Sequence, residues 1–97
     1  MAYEIVLAPE AIDDLKRLKA DIRSEMRMAI EKHLRHEPRK VSRSRIKRLR
    51  GVRRPQFRLR VGEVRVFYDV TGDVVEVLAI VAKSEAGAWL AQFGSPE

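Results

Sequence analysis

The sequence predicts one α+β domain over residues 1–97: an N-terminal strand, a helical hairpin packed on a small, mostly antiparallel four-stranded sheet, and a short C-terminal helix, in the order β-α-α-β-β-β-α. Three observations carry this expectation. Period-2 alternation marks residues 3–7 and three later runs, apolar residues recur at helical spacing between residues 9 and 34, and glycine turns join the later strands. A chain of 97 residues with 45% hydrophobic composition can build one modest core and not two.

The elements follow in order. Tyr3, Ile5 and Leu7 alternate with Glu4 and Val6, which predicts a strand. Pro9 suits a first helical turn, and Glu10, Asp13 and Asp14 place acids against the positive end of that helix. Ala11, Ile12, Leu15 and Leu18 form one apolar stripe; Ile22, Met26, Ile30 and Leu34 form a second. Asp21 is a candidate cap between them, so the region reads as two helices or as one bent helix. Glu37-Pro38 ends it, because the residue before proline avoids helical angles. From Val41 to Pro55 periodicity is poor, with Ile46 and Leu49 as anchors and the bases toward solvent. Residues 56–61, 64–70 and 74–82 read as strands, joined by turns at Gly62-Glu63 and at Thr71-Gly72-Asp73. Ser84 is placed to cap a last helix whose one face carries Ala86, Trp89, Leu90 and Phe93, and Gly94 closes it.

Charge is placed, not spread. The chain carries a net charge of +6, yet residues 39–60 hold eleven Lys or Arg and no acid. The remaining residues hold nine bases and fourteen acids, a balance of −5. Such a block is the electrostatic footprint of a nucleic-acid partner, RNA above all, or of an acidic protein partner; a solvated basic loop is the alternative, and the block runs into a strand instead of ending in a tail. The chain has no cysteine, which excludes a disulfide framework, a thiolate nucleophile and cysteine-ligated zinc. Neither a secretory leader nor an apolar run of membrane-spanning length is visible, so a soluble, cytoplasmic protein is expected.

The hairpin at Gly62-Glu63 fixes where the arginines point. A two-residue turn sets Val61 against Val64, Leu59 against Val66 and Phe57 against Tyr68, an apolar set on one face. The same register sets Arg60 against Arg65 and Arg58 against Phe67 on the other face. Like charges in direct opposition destabilise a bare sheet and call for compensation. Asp69 and Glu76 share that face by parity, and a bound phosphate is the alternative.

Three stretches together resemble a known family: Lys47-Arg48-Leu49-Arg50-Gly51, then Phe57 through Tyr68, then Val77 through Lys83. A basic Leu-Arg-Gly, an aromatic residue leading alternating basic and aliphatic positions, a glycine turn and Arg65-x-x-Tyr68 are similar to the RelE/ParE toxin superfamily. The first strand and helical hairpin fit as well, so the resemblance covers nearly the whole chain. It implies a toxin of a toxin-antitoxin system, with a cognate antitoxin protein as partner and no small-molecule cofactor. The RelE branch implies mRNA cleavage in the ribosomal A site and hence inhibited translation, with the ribosome and mRNA as partners. The ParE branch implies non-nucleolytic inhibition of DNA gyrase, and a weakened RNA-binding member is the third alternative.

Carried over by position, the resemblance implies catalytic roles for Arg58, Arg60 and Arg65, with Lys83 or Ser84 in place of an arginine after the last strand and Lys83 as the residue that supplies the charge. The preceding bases Lys47, Arg48, Arg50, Arg53 and Arg54 are the expected RNA contacts. Where RelE enzymes carry a C-terminal tyrosine, this chain has Trp89 or Leu90, and Trp89 is expected to be core. His33 and His36, three apart on one helix face, read as surface histidines and not as metal ligands. Tyr3 and Tyr68 read as packing residues.

Overall fold

The computed structural model describes residues 1–97. Its elements are strand β1 (Glu4–Leu7), helices α1 (Pro9–Arg17) and α2 (Ala20–Leu34), strands β2 (Ile46–Arg48), β3 (Val52–Arg54), β4 (Phe57–Val61), β5 (Val64–Thr71) and β6 (Val74–Ala82), helix α3 (Ala86–Phe93) and strand β7 (Ser95–Pro96). A 3-10 turn, Lys83–Glu85, leads into α3.

The main sheet has five strands, in the order β1-β6-β5-β4-β2, not the expected four. β1 runs parallel to β6, and every other pairing is antiparallel. The additional strand β2 lies in the segment read as aperiodic. It has three residues and buries one side chain, Ile46, so it is too short to show alternation. A separate two-stranded ribbon joins β3 to β7 at the C-terminus, a pairing not among the expected strands.

The β4–β5 register matches the expected one at all five pairs, Phe57–Tyr68 through Val61–Val64. Gly62 and Gly72 open the two hairpin turns with φ of 57° and 59°, the left-handed region that disfavours a side chain. On the helix side of the sheet, Phe57, Leu59, Val61, Val66, Tyr68, Val70, Val75, Val77 and Ile80 meet Ala11, Leu15, Met26, Ile30 and Leu34 in one core. Phe57 and Tyr68 stack at 5.4 Å, and the buried Tyr68 hydroxyl donates to the Pro38 carbonyl at 2.7 Å. Burial pushes that hydroxyl far up, so Tyr68 serves packing as expected.

Two helices are present, separated at Leu18 and Lys19, both with extended backbone. Asp21 lies inside the first turn of α2 and does not cap it; the cap position is Lys19, without a side-chain bond. Ile12 stays 40% exposed, at the margin of its stripe. Ser84 likewise caps nothing, since it lies within the 3-10 turn. Asp14 ties α1 to the sheet by accepting the Ile80 backbone N–H at 2.9 Å. The far end of α2 is tied to β1, where Tyr3 N–H donates to the Arg35 carbonyl and the Arg35 guanidinium donates to the Tyr3 carbonyl, both at 2.7 Å. No helix is long and apolar enough to cross a membrane.

Candidate nucleic-acid interface

The face of the sheet opposite the helical hairpin carries the charge. β4 supplies Arg58 and Arg60, because their neighbours Phe57, Leu59 and Val61 are claimed by the core. Pairing of β2 with β4 sets Lys47 directly beside Arg58, so Lys47 shares their face, while Arg48 falls on the other side with Phe57. The backbone of Arg60 donates to the Arg45 carbonyl at 2.8 Å, and the Arg45 guanidinium donates back to the Arg60 carbonyl at 3.2 Å. Arg45 therefore extends the row at the sheet edge. Nothing in the sequence singles it out, because its place depends on a strand too short to show alternation.

These cations have no counterions. Every ion pair in the molecule lies elsewhere: Arg17–Asp14, Arg35–Glu31, Lys40–Glu37, and Arg54 with both Asp69 and Glu76. Arg58 is half-buried, and its Nε is shielded from solvent without a hydrogen-bond partner. Burial, then the charges of Arg65 and Arg60, pull its guanidinium below the ordinary arginine value. It remains charged at neutral pH because that value starts so high. An anion at this spot would satisfy an unpaired donor and relieve three-way repulsion at once.

Arg65 behaves differently from the expectation of an open arginine. It is 7% exposed, and its guanidinium turns back to donate to the carbonyls of Gly62 at 2.9 Å and Val64 at 3.1 Å. It braces the turn that holds Arg60 opposite it. Lys83 is exposed at the end of β6, and its backbone N–H donates to the Glu63 carbonyl at 2.8 Å, which brings it beside the same turn.

The five expected RNA contacts separate. Lys47 joins the arginine face, and Arg50 and Arg53 are exposed in and beside the bend that follows. Arg48 lies over the Phe57 ring at 5.2 Å. Arg54 is held by Asp69 at 3.0 Å and Glu76 at 2.9 Å. Those two acids, the candidate compensation for the arginine face, thus form their ion pairs with Arg54 and not with the arginines of β4. Burial pushes the Asp69 carboxyl up, while the Gln56 backbone N–H and then Arg54 act in the opposite direction.

Trp89 is half-buried and lies outside the core. It stacks on Phe67 at 4.9 Å with ring planes 6° apart, on the arginine side of the sheet, and Phe93 tilts against it at 5.6 Å. A signal for this was present in the sequence: parity sets Phe67 away from the core, and an apolar ring on a polar face needs a cover. The histidines His33 and His36 line a cleft at the end of α2 with Lys32, Lys40 and Arg45.

A helical hairpin on one face of a five-stranded sheet, with uncompensated cations on the other, makes a fold that several solved structures share. Solved structures with this fold include a RelBE toxin–antitoxin complex from Mycobacterium tuberculosis, 24% identical with a TM-score of 0.66, covering 84% of this chain and 99% of that one. A free E. coli RelE double mutant is 21% identical with a TM-score of 0.69 over 92% of each chain. The RelE of a RelB–RelE complex from Methanococcus jannaschii is 21% identical with a TM-score of 0.67, over 87% and 96%. Among curated protein sequences none matches. A family model described as the ParE toxin of the type II toxin-antitoxin system parDE matches residues 5–87. The chain belongs to this ParE toxin family, within the RelE/ParE superfamily.

Proposed function

We propose that this toxin acts on mRNA at the ribosome and stops translation, with a cognate antitoxin as its restraining partner. The observation that carries the reading is Arg58, a half-buried guanidinium with an unpartnered Nε, two arginine neighbours and no carboxylate in reach. Arg58, Arg60 and Lys47 hold an RNA phosphate, Lys83 adds charge from the end of β6, and Arg65 fixes the turn that aims Arg60. The neighbouring 2′-hydroxyl oxygen attacks phosphorus and its proton leaves to solvent; the bond to the 5′-oxygen breaks, and that oxygen takes a proton from solvent, leaving a 2′,3′-cyclic phosphate and a 5′-hydroxyl. The arginines stabilise the extra negative charge on the pentacoordinate phosphorus. The antitoxin partner is supported by relatives solved as toxin–antitoxin complexes, including those from M. tuberculosis and Pyrococcus horikoshii.

A second reading, non-nucleolytic inhibition of DNA gyrase, is favoured by the ParE family match and by the absence of a tyrosine hydroxyl in α3. Pulse labelling after induced expression separates them. Protein synthesis falls first on the mRNA reading; an earlier fall in DNA synthesis with altered supercoiling moves the assignment to gyrase.

A further inference from the structure

A second basic concavity opens at the C-terminal end of α2, around the β2 edge from the arginine face. It encloses about 300 Å³ and is lined by Lys32, His33, His36, Lys40, Ser42 and Arg45, with Glu37 as its one acid and Ile46 as its one apolar wall. Three permanent cations against one carboxylate leave it at +2 with both histidines neutral, and at +4 with both protonated. The single acid is already engaged, since Glu37 pairs with Lys40 at 3.5 Å.

A helix C-terminus attracts cations to its carbonyls, and that accounts for Lys32 and His33 in the last turn. It does not account for Lys40 and Arg45, which the following loop brings in. The loop is held in that shape: the Ser42 hydroxyl accepts the backbone N–H of Arg45 at 3.1 Å and of Ile46 at 3.2 Å, and Ser42 N–H donates to the Ile46 carbonyl at 3.0 Å. Arg45 is common to both places, lining this cleft while donating to the Arg60 carbonyl at 3.2 Å. The basic surface is therefore continuous from Arg58 and Arg60, through Arg45, to Lys40 and the histidines.

We infer that this cleft is a second phosphate subsite, through which a single RNA strand held on the arginine face continues past Arg45 onto the end of α2. The inference rests on the RNA reading proposed above and adds to it the path of the strand. His33 fits the role: partial burial, then the charges of Arg45 and Lys32, hold it below its ordinary value, so a phosphate arriving there favours its protonation. Among the groups lining the cleft with it, Lys32, Lys40 and Arg45 are cationic, Glu37 is the one acid, and His36 is the other titratable group.

The test is fluorescence anisotropy on the full chain with a labelled trinucleotide and with a single strand of about fifteen nucleotides. Wild type should bind the longer strand more tightly, and more so at pH 5.5 than at pH 7.5. The double variant Lys32→Ala/Lys40→Ala changes two side chains at the surface. It should lose about tenfold in affinity for the longer strand, with a salt slope shallower by about 1.4. Its affinity for the trinucleotide should not change, whereas Arg58→Ala should weaken both ligands. If the double variant binds the longer strand like wild type while Arg58→Ala weakens both, the RNA reading stands and the second subsite is overturned. If wild type binds neither RNA, both are overturned.

Discussion

Arg60 and Arg65 oppose each other across the β4–β5 hairpin, yet their side chains take different courses: Arg60 is exposed, and Arg65 folds back onto the carbonyls of Gly62 and Val64. The pair divides the labour of the hairpin. One arginine is free for a ligand, and the other steadies the turn that presents it.

Stability should follow this division. Arg65→Ala removes two charge-assisted bonds and leaves turn carbonyls without their donor, a loss of about 1–3 kcal/mol. Arg60→Ala should stay within about 0.5 kcal/mol of wild type. Thermal melting of the two variants side by side checks this; equal melting temperatures would remove the bracing role of Arg65.

Leu59, fully buried between the two face arginines of β4, makes the complementary case. Leu59→Ala should cost about 2–5 kcal/mol, while Arg58→Ala should leave the melt near wild type and weaken RNA binding. Urea unfolding and anisotropy on both variants separate a core position from a ligand position on the same strand.

Asp69 holds two partners, the Gln56 backbone N–H at 2.7 Å and the Arg54 guanidinium at 3.0 Å. Asp69→Ala leaves a part-buried N–H unpaired and should cost about 1–3 kcal/mol. Arg54→Ala should cost less, because the Arg54 side chain is itself more than half exposed. A larger loss for Arg54→Ala in urea unfolding would reverse the ranking.

His33 gives the expected pH dependence. Its folded value lies below the ordinary one, so the folded chain binds a proton at this site less readily than the unfolded chain. The corresponding stability is present above about pH 6.5 and is lost as pH falls through and below that value. In phosphate-free buffer the melting temperature should drop between pH 7.5 and pH 5.5, and His33→Gln should lessen the drop. An unchanged drop in the variant would show that His33 is not its source.

The sequence was most legible where side chains alternate over several residues. The β4–β5 register follows from one turn and an apolar match between Phe57, Leu59, Val61 and their partners, and it holds at every pair. That register placed Arg58 and Arg60 on one face. It could not show the course of Arg65, which depends on the direction of the Gly62 carbonyl within the turn. β2 was hidden because Ile46 is its one buried side chain, and with β2 went the positions of Arg45 and Lys47. The apolar side of α3 was visible from Trp89 and Phe93, but helical periodicity does not say which sheet face it will cover. The partner of Arg54 was equally hidden, since Asp69 and Glu76 compensate a base from β3 and not the arginines of β4.

The most direct test of an mRNA-cleaving role for the arginine face is incubation of the purified chain with ribosomes programmed with a defined message, followed by mapping of RNA ends. Wild type should produce new ends within the A-site codon, and Arg58→Ala and Arg60→Ala should each lower the cleavage rate by about a hundredfold or more. An intact message under wild-type toxin, alongside inhibited supercoiling by purified gyrase, would contradict it.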